Sequence, residues 1–284
     1  MLKYIDNIRS KPAGGIILLF VSIQIVAIIG GLLYPDSFRY LNPANIAVLL
    51  KSMSALGIMA IGVGILMITG EFDLSVGTLY TFCAIVTATV VKEYAMSPYF
   101  AMLVGVFVGM LAGVMHASIV NRFTIPSFIV TLGAMLLWKG ATLLYHGAKS
   151  LRYKYESVTY KTVLTGDIGV VDASFLWFLG VGAIFYFVLH HHKIGNHFYA
   201  VGGNPKAARN IGINVDRVKI LALIGTSLFS AIVGILFVAR VSSGNANLAD
   251  GMEFDVIAAV VVGGTALAGA VGTMTGTLLG CVFI

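Results

Sequence analysis

Long apolar runs broken by short polar stretches leave this chain few ways to fold. Ala13–Tyr34, Ala44–Thr69, Val76–Val91, Pro98–Val120, Ser127–Tyr145, Ala173–Leu189, Ile220–Ala239 and Phe254 to Ile284 hold few charged residues. About 20 apolar residues in helical form cross a bilayer, and only helices or closed barrels satisfy their backbone groups in lipid. Charged residues make up 11% of the 284 positions, against about 25% in soluble domains. The expectation is an all-α, polytopic transmembrane helical bundle, one domain over residues 1–284, with about 8 to 9 hydrophobic spans.

The polar breaks set the topology. The first run is too long and too weakly punctuated for a cleaved signal, so it is read as the first span, with residues 1–12 cytoplasmic. Inner segments then hold Lys3, Arg9, Lys11, Arg122, Lys193, Lys206, Arg209, Arg217 and Lys219. Outer ones hold Arg39, Lys92, Lys149, Arg152, Lys154, Lys161 and Arg240. The modest inward excess fits the positive-inside rule, and the outer basic cluster lies in a long extracytoplasmic loop, 146–172. Lys51 and Lys139, inside apolar runs, have stems long enough to snorkel. The basic residues form no stripe, so nucleic acid is not an expected partner; membrane lipid is.

Residues 193–219, KIGNHFYAVGGNPKAARNIGINVDRVK, form the best-marked polar interruption. Asn204 suits an N-cap, Pro205 a first helical position and Gly212 a C-terminal stop. A helix of about two turns follows, with Ala207, Ala208 and Ile211 on one small apolar face and Lys206 and Arg209 on another. Such a face is read as a cytoplasmic coupling segment against another subunit; an ordinary polar loop is the bland alternative. Gly105, Gly109 and Gly113, four apart, predict a helix face in close contact with a neighbour.

The tripeptide Glu-Phe-Asp occurs twice, at Glu71–Asp73 and Glu253–Asp255, each time opening a glycine-containing apolar run. Polar breaks at matching places in two halves point to discontinuous helices around a transport path, although the residues that follow, LSVGT and VIAAV, match poorly. Glu71, Asp73, Ser75, Glu253, Asp255, Gly263 and Gly264 are therefore candidate pathway residues. A carboxylate within lipid argues for function, whereas one at an interface caps a helix.

GGTALAGAVGT lacks the lysine of a phosphate loop, and no hydrolase constellation is present. His190, His191 and His192 point in different directions on a helix, which disfavours one shared ion. His116, Cys83 and Cys281 read as core residues. No cofactor or metal is expected in this chain.

Four motifs, in order, are GEFDLSVGTLY, IPSFIVTLGAMLLWKG, AVGGNPKAARNIGINVDRVK and GMEFDVIAAVVVGGTALAGAVGT. From about Ala44 to Ile284 the chain resembles the membrane permease subunit of ribose-type, monosaccharide importers of the ATP-binding-cassette class. The resemblance implies a non-enzymatic subunit of a prokaryotic inner-membrane importer. Its partners would be a cytoplasmic ATPase that binds ATP and Mg, a second permease copy or paralogue, and an extracytoplasmic sugar-binding protein. It aligns Gly202, Gly203, Asn204, Ala207, Ala208 and Gly212 with the coupling segment. Asp73, Ser75 and Gly77 fall in one acidic turn, and Glu253, Asp255, Gly263 and Gly264 in a second. Relatives continue past GTLLGCVFI, so a C-terminally incomplete chain is expected, and Lys139 stands where many have arginine. An ion-gradient-driven secondary transporter using Glu71, Asp73 and Asp255 as coupling acids is the alternative, and a membrane assembly protein a distant third.

Overall fold

The computed structural model describes residues 14–35, 37–147, 151–152, 158–248 and 250–284. Residues 1–12, with the expectation attached to them, lie outside the described residues, as do Lys149 and Lys154. Among the described residues, five helices are long and apolar enough to cross a membrane: α2 (Pro43–Ile68), α4 (Pro98–Phe123), α5 (Ser127–His146), α7 (Ala173–His191) and α10 (Val215–Val241). Between them lie α1 (Gly14–Leu33), α3 (Val76–Lys92), α6 (Val158–Thr165), α8 (Lys193–Gly203) and α9 (Pro205–Asn210). Helices α11 (Met252–Val262) and α12 (Met274–Phe283) close the chain.

The bundle is built around α2 and α10. Helix α2 is buried on all sides from Leu56 to Ile68, as expected of a helix apolar all round. Helix α10 packs against α2, α3 and α4. Its close seam with α4 is made by the glycines that the sequence singles out. A Cβ on Gly109 would lie 2.5 Å from Ala231 Cβ and 3.0 Å from Ser227 O, and one on Gly113 would lie 2.7 Å from Ile224 Cα. Small residues let the two backbones approach, so dispersion substitutes for the hydrophobic drive that lipid does not supply. Gly109→Leu is expected to destabilise the bundle by about 3 kcal/mol, measurable as a lower denaturation midpoint in detergent, with Gly133→Leu, whose Cβ meets nothing within 4 Å, as a neutral control.

The two ends of the bundle differ. One, the handle end, carries α8 and α9. The other, the far end, carries the 146–172 connection, whose described residues hold more structure than the polar loop expected from sequence. It contains α6, a short hairpin of β2 (Asp167–Ile168) and β3 (Val171–Asp172), and β1 (Leu151–Arg152), which pairs antiparallel with β4 (Ser243–Gly244). Tyr160 on α6 is buried, so this helix has a small core contact of its own.

The apolar run from Phe254 is divided. Helix α11 enters from the far end for 11 residues, about 16 Å and half a bilayer core. Residues 263–273 then turn, and α12 returns alongside. The two helices pack backbone to backbone at glycines: a Cβ on Gly263 would lie 2.4 Å from Gly276 O, and one on Gly280 2.0 Å from Ala259 O. These contacts fix the pair as antiparallel, a hairpin that ends inside the bundle.

Candidate functional site

Three features converge at the handle end. Helix α2 ends at Ile68, Gly70 just beyond it has φ +80°, and residues 71–75 run unwound to α3. Free N–H groups there would be costly in a buried setting, and α5 supplies their partners. Phe72 N–H donates to Ser127 Oγ at 2.9 Å and Leu74 N–H to Thr131 Oγ1 at 3.1 Å. Asp73 is fully buried and accepts from Ser75 N–H at 2.8 Å, Ser75 Oγ–H at 2.6 Å and Thr226 Oγ1–H at 2.8 Å. This acid is buried within the bundle, and its bonds tie the break to Ser75, the residue before α3, and to Thr226 of α10. Glu71 forms an ion pair with Lys219 near the start of α10. Asp73 and Ser75 are closed to solvent in this conformation, so their visible role is to hold the break.

The second acidic stretch lies at the opposite end. Helix α10 is antiparallel to α2, and the break after each therefore falls at opposite ends of the bundle. Glu253 and Asp255 occupy the first turn of α11, where the helix dipole favours carboxylates. Glu253 is buried, and its Oε2 has no hydrogen-bond partner among the described residues. Asp255 is exposed and lines a cavity of about 680 Å³ at the far end, between α1, α2, α10, α11 and α12. Lys51, Arg240 and Asp250 share that lining with Ser52 and Gln24.

Sequence reasoning did not anticipate the ionic cluster beside this cavity. Asp172 is fully buried and caps α7 by accepting from Ser174 N–H at 2.8 Å. Arg240 Nη2 reaches the same carboxylate at 3.1 Å, and Lys51 Nζ stands 3.7 Å from it and 2.8 Å from Asp167. The three helices α2, α7 and α10 are thus tied at one point. Lys139 does reach toward the far end as a snorkelling lysine would, and finds Asp250 at 2.8 Å. Both groups are more than a third exposed, so the pair is worth about 0–1 kcal/mol, and Lys139→Met is expected to shift stability by less than that in the same denaturation assay.

The handle is two helices, not the one expected. Helix α8 buries Gly195, Phe198 and Val201, an i, i+3, i+6 spacing that the many polar residues around it obscured. His192 Nδ1 caps it by accepting from Ile194 N–H at 3.2 Å. His190 Nε2 instead accepts from Met274 N–H at 3.2 Å, so adjacent histidines serve different helices. Helix α9 follows the sequence signals: Asn204 Oδ1 accepts from Lys206 N–H and Ala207 N–H at 3.1 and 3.0 Å, and Gly212 has φ +88°. The expected apolar face requires correction. Ala208 turns into the core, while Ala207 and Ile211 face out, Ile211 at 75% exposure. Pro205 is exposed beside them.

Gly202 differs from a surface role, whereas Gly203 is exposed. A Cβ on Gly202 would lie 1.9 Å from Ile68 O and 2.7 Å from Ala270 N, and one on Gly203 3.6 Å from Ala270 Cβ. Both face the tip of the α11–α12 hairpin. Ala270 N–H donates to Ile68 O at 2.8 Å, and Tyr199 Oη–H to Gly272 O at 2.8 Å. Burial raises the Tyr199 pKa above its ordinary value, which keeps it a donor. The end of α2, the hairpin tip with Gly264 at φ +88°, and α8 therefore meet in one packed node.

The family model described as branched-chain amino acid transport system / permease component matches residues 45–284. The chain belongs to this family of permeases. The permease is 34% identical to the xylose/arabinose import permease protein of Sulfolobus acidocaldarius, over 88% of this chain and 71% of that one. It is 37% identical to a probable ABC transporter permease protein of Escherichia coli, over 94% and 78%. It is 34% identical to the ribose import permease protein of Escherichia coli, over 99% and 86%. No solved structure matches the permease. Its helices and its relatives agree on a multi-pass membrane protein.

Proposed function

We propose that this chain forms the translocation pathway for a monosaccharide in an ATP-driven importer of the cell membrane, with the solute delivered by an extracytoplasmic binding protein. In this reading the handle end and residues 1–12 are cytoplasmic, and the far-end cavity faces outward. The first seven apolar runs cross the membrane, and the last forms the re-entrant hairpin. ATP hydrolysis belongs to a separate subunit that docks on α9, the coupling helix. A second permease copy or paralogue completes the pathway.

The observation that carries this reading is the continuity from α9 to the cavity. The exposed pair Ala207 and Ile211 sits on a capped helix joined to α8, and α8 is bonded to the hairpin whose other end carries Asp255. A push at α9 has a packed route to the cavity wall. Asn204, Pro205 and Gly212 shape the docking helix, Ala208 seats it, and Gly202 and Gly203 join it to the hairpin. Glu71, Asp73 and Ser75 hold the first break, while Glu253, Gly263 and Gly264 shape the hairpin.

The test is uptake by proteoliposomes containing the permease, its ATPase and its binding protein, with ribose, xylose and leucine as solutes. ATP-dependent uptake of a pentose is expected. Leucine uptake would favour the amino-acid specificity in the family description, and uptake by the permease alone that collapses with an ionophore would favour gradient coupling. Ala207→Glu with Ile211→Glu is expected to lower ATP-driven uptake at least tenfold by placing charge in a docking interface, with membrane insertion and denaturation midpoint unchanged.

A further inference from the structure

We infer that the far-end cavity is an anion-excluding vestibule, selecting neutral polyhydroxyl solutes over acidic ones, and that Asp255 sets this selection. The inference deepens the proposed importer function and rests on it for the identity of the solute. Its physical basis is the distribution of charge around the cavity.

Four charged residues line the cavity: Lys51, Arg240, Asp250 and Asp255. Three are already compensated. Lys51 has Asp167 at 2.8 Å and Asp172 at 3.7 Å, Arg240 has Asp172 at 3.1 Å, and Asp250 has Lys139 at 2.8 Å. Asp255 has no cation within 4.0 Å among the described residues. Among the described side chains of the lining, the one charge without an ion-pair partner is therefore negative. The walls between these groups are mostly apolar side chains such as Leu56, Phe237 and Leu248, which focus a field that bulk water would screen.

The cavity, at about 680 Å³, falls within the roughly 300–1,000 Å³ of small-molecule sites. A carboxylate has two acceptor oxygens and no donor, so it accepts from two neighbouring hydroxyls of a sugar. A uronate or a sugar phosphate entering the same space meets like charge, and among the described lining residues both cations are already paired. Selection against acidic solutes at this point is independent of whatever the binding protein does.

The test reads the field directly and requires no transport. In the full chain in proteoliposomes, with Cys83 and Cys281 replaced by alanine, Ser52→Cys places a thiol in the cavity lining. Its reaction rates with a cationic trimethylammonium-ethyl and an anionic sulfonatoethyl methanethiosulfonate are compared, each normalised to a free thiol in solution. With Asp255 present the normalised ratio is expected to favour the cationic reagent by about tenfold. Asp255→Asn should bring the ratio near one, Asp255→Glu should keep it, and Asp255→Lys should invert it. Raising the salt concentration on the Asp255 protein should reduce the ratio without any substitution. A ratio unmoved by Asn, Lys and salt, or a thiol unreactive to both reagents, would overturn the inference. Failure of ATP-driven pentose uptake would overturn the importer reading and leave these rates as they are.

Discussion

Gly202→Val is expected to abolish ATP-driven uptake and to lower the stability of the permease by about 3 kcal/mol or more. The Cβ alone would sit 1.9 Å from Ile68 O and 2.7 Å from Ala270 N. Both obstacles are backbone atoms of the same hydrogen bond, Ala270 N–H to Ile68 O, so no rotamer change relieves the overlap. Either α8 moves off the node or the hairpin tip moves off α2. Gly203→Ala is the companion, since its Cβ meets only Ala270 Cβ at an ordinary 3.6 Å. It should leave both stability and uptake close to the parent. The two neighbours thus separate a general effect of losing glycine from a specific effect of closing the node, read by denaturation in detergent and by uptake on the same preparations. If Gly202→Val proved as mild as Gly203→Ala, the handle and the hairpin would not be tightly joined.

Much of this architecture was legible because lipid imposes a simple rule on sequence. Apolar length alone delivers α2, α4, α5, α7 and α10, and the spacing of Gly105, Gly109 and Gly113 identifies the face of α4 that meets α10. Local chemistry was equally legible at α9, where Asn204, Pro205 and Gly212 act as cap, first residue and stop. What stayed hidden depends on distant pairing. Nothing near Gly202 in sequence announces Ile68 or Ala270, so a packing glycine read as part of a docking surface. Helix α8 gives little signal because its buried side chains, Phe198 and Val201, are few and lie among Asn196, His197 and three glycines. Within 146–172 no local signal announces the pairing of β1 with β4, some ninety residues away. The two Glu-Phe-Asp breaks were found by repetition, yet their positions at opposite ends follow only from the antiparallel course of α2 and α10.

Removing Arg240 is expected to be the most damaging single change at the far end. Asp172 is fully buried, and Arg240 supplies its closest cation, at 3.1 Å, with Lys51 at 3.7 Å and shared with Asp167. Arg240→Met leaves a buried carboxylate short of charge and of hydrogen bonds, a loss of about 3–5 kcal/mol. The penalty arises from the stranded partner and not from the attraction itself, since desolvation consumes much of what a buried pair gains. Arg240→Met combined with Asp172→Leu should therefore recover most of the stability, even though both charges are gone. The recovered protein would still lack the cap that Asp172 gives α7 through Ser174, worth about 1 kcal/mol, so recovery should stop short of the parent by roughly that amount. A double mutant as unstable as Arg240→Met would show that Arg240 is held for its packing against the cavity wall. A cycle with strong recovery would show that this cluster joins α2, α7 and α10 by mutual compensation, the same compensation that leaves Asp255 as the free charge facing the solute.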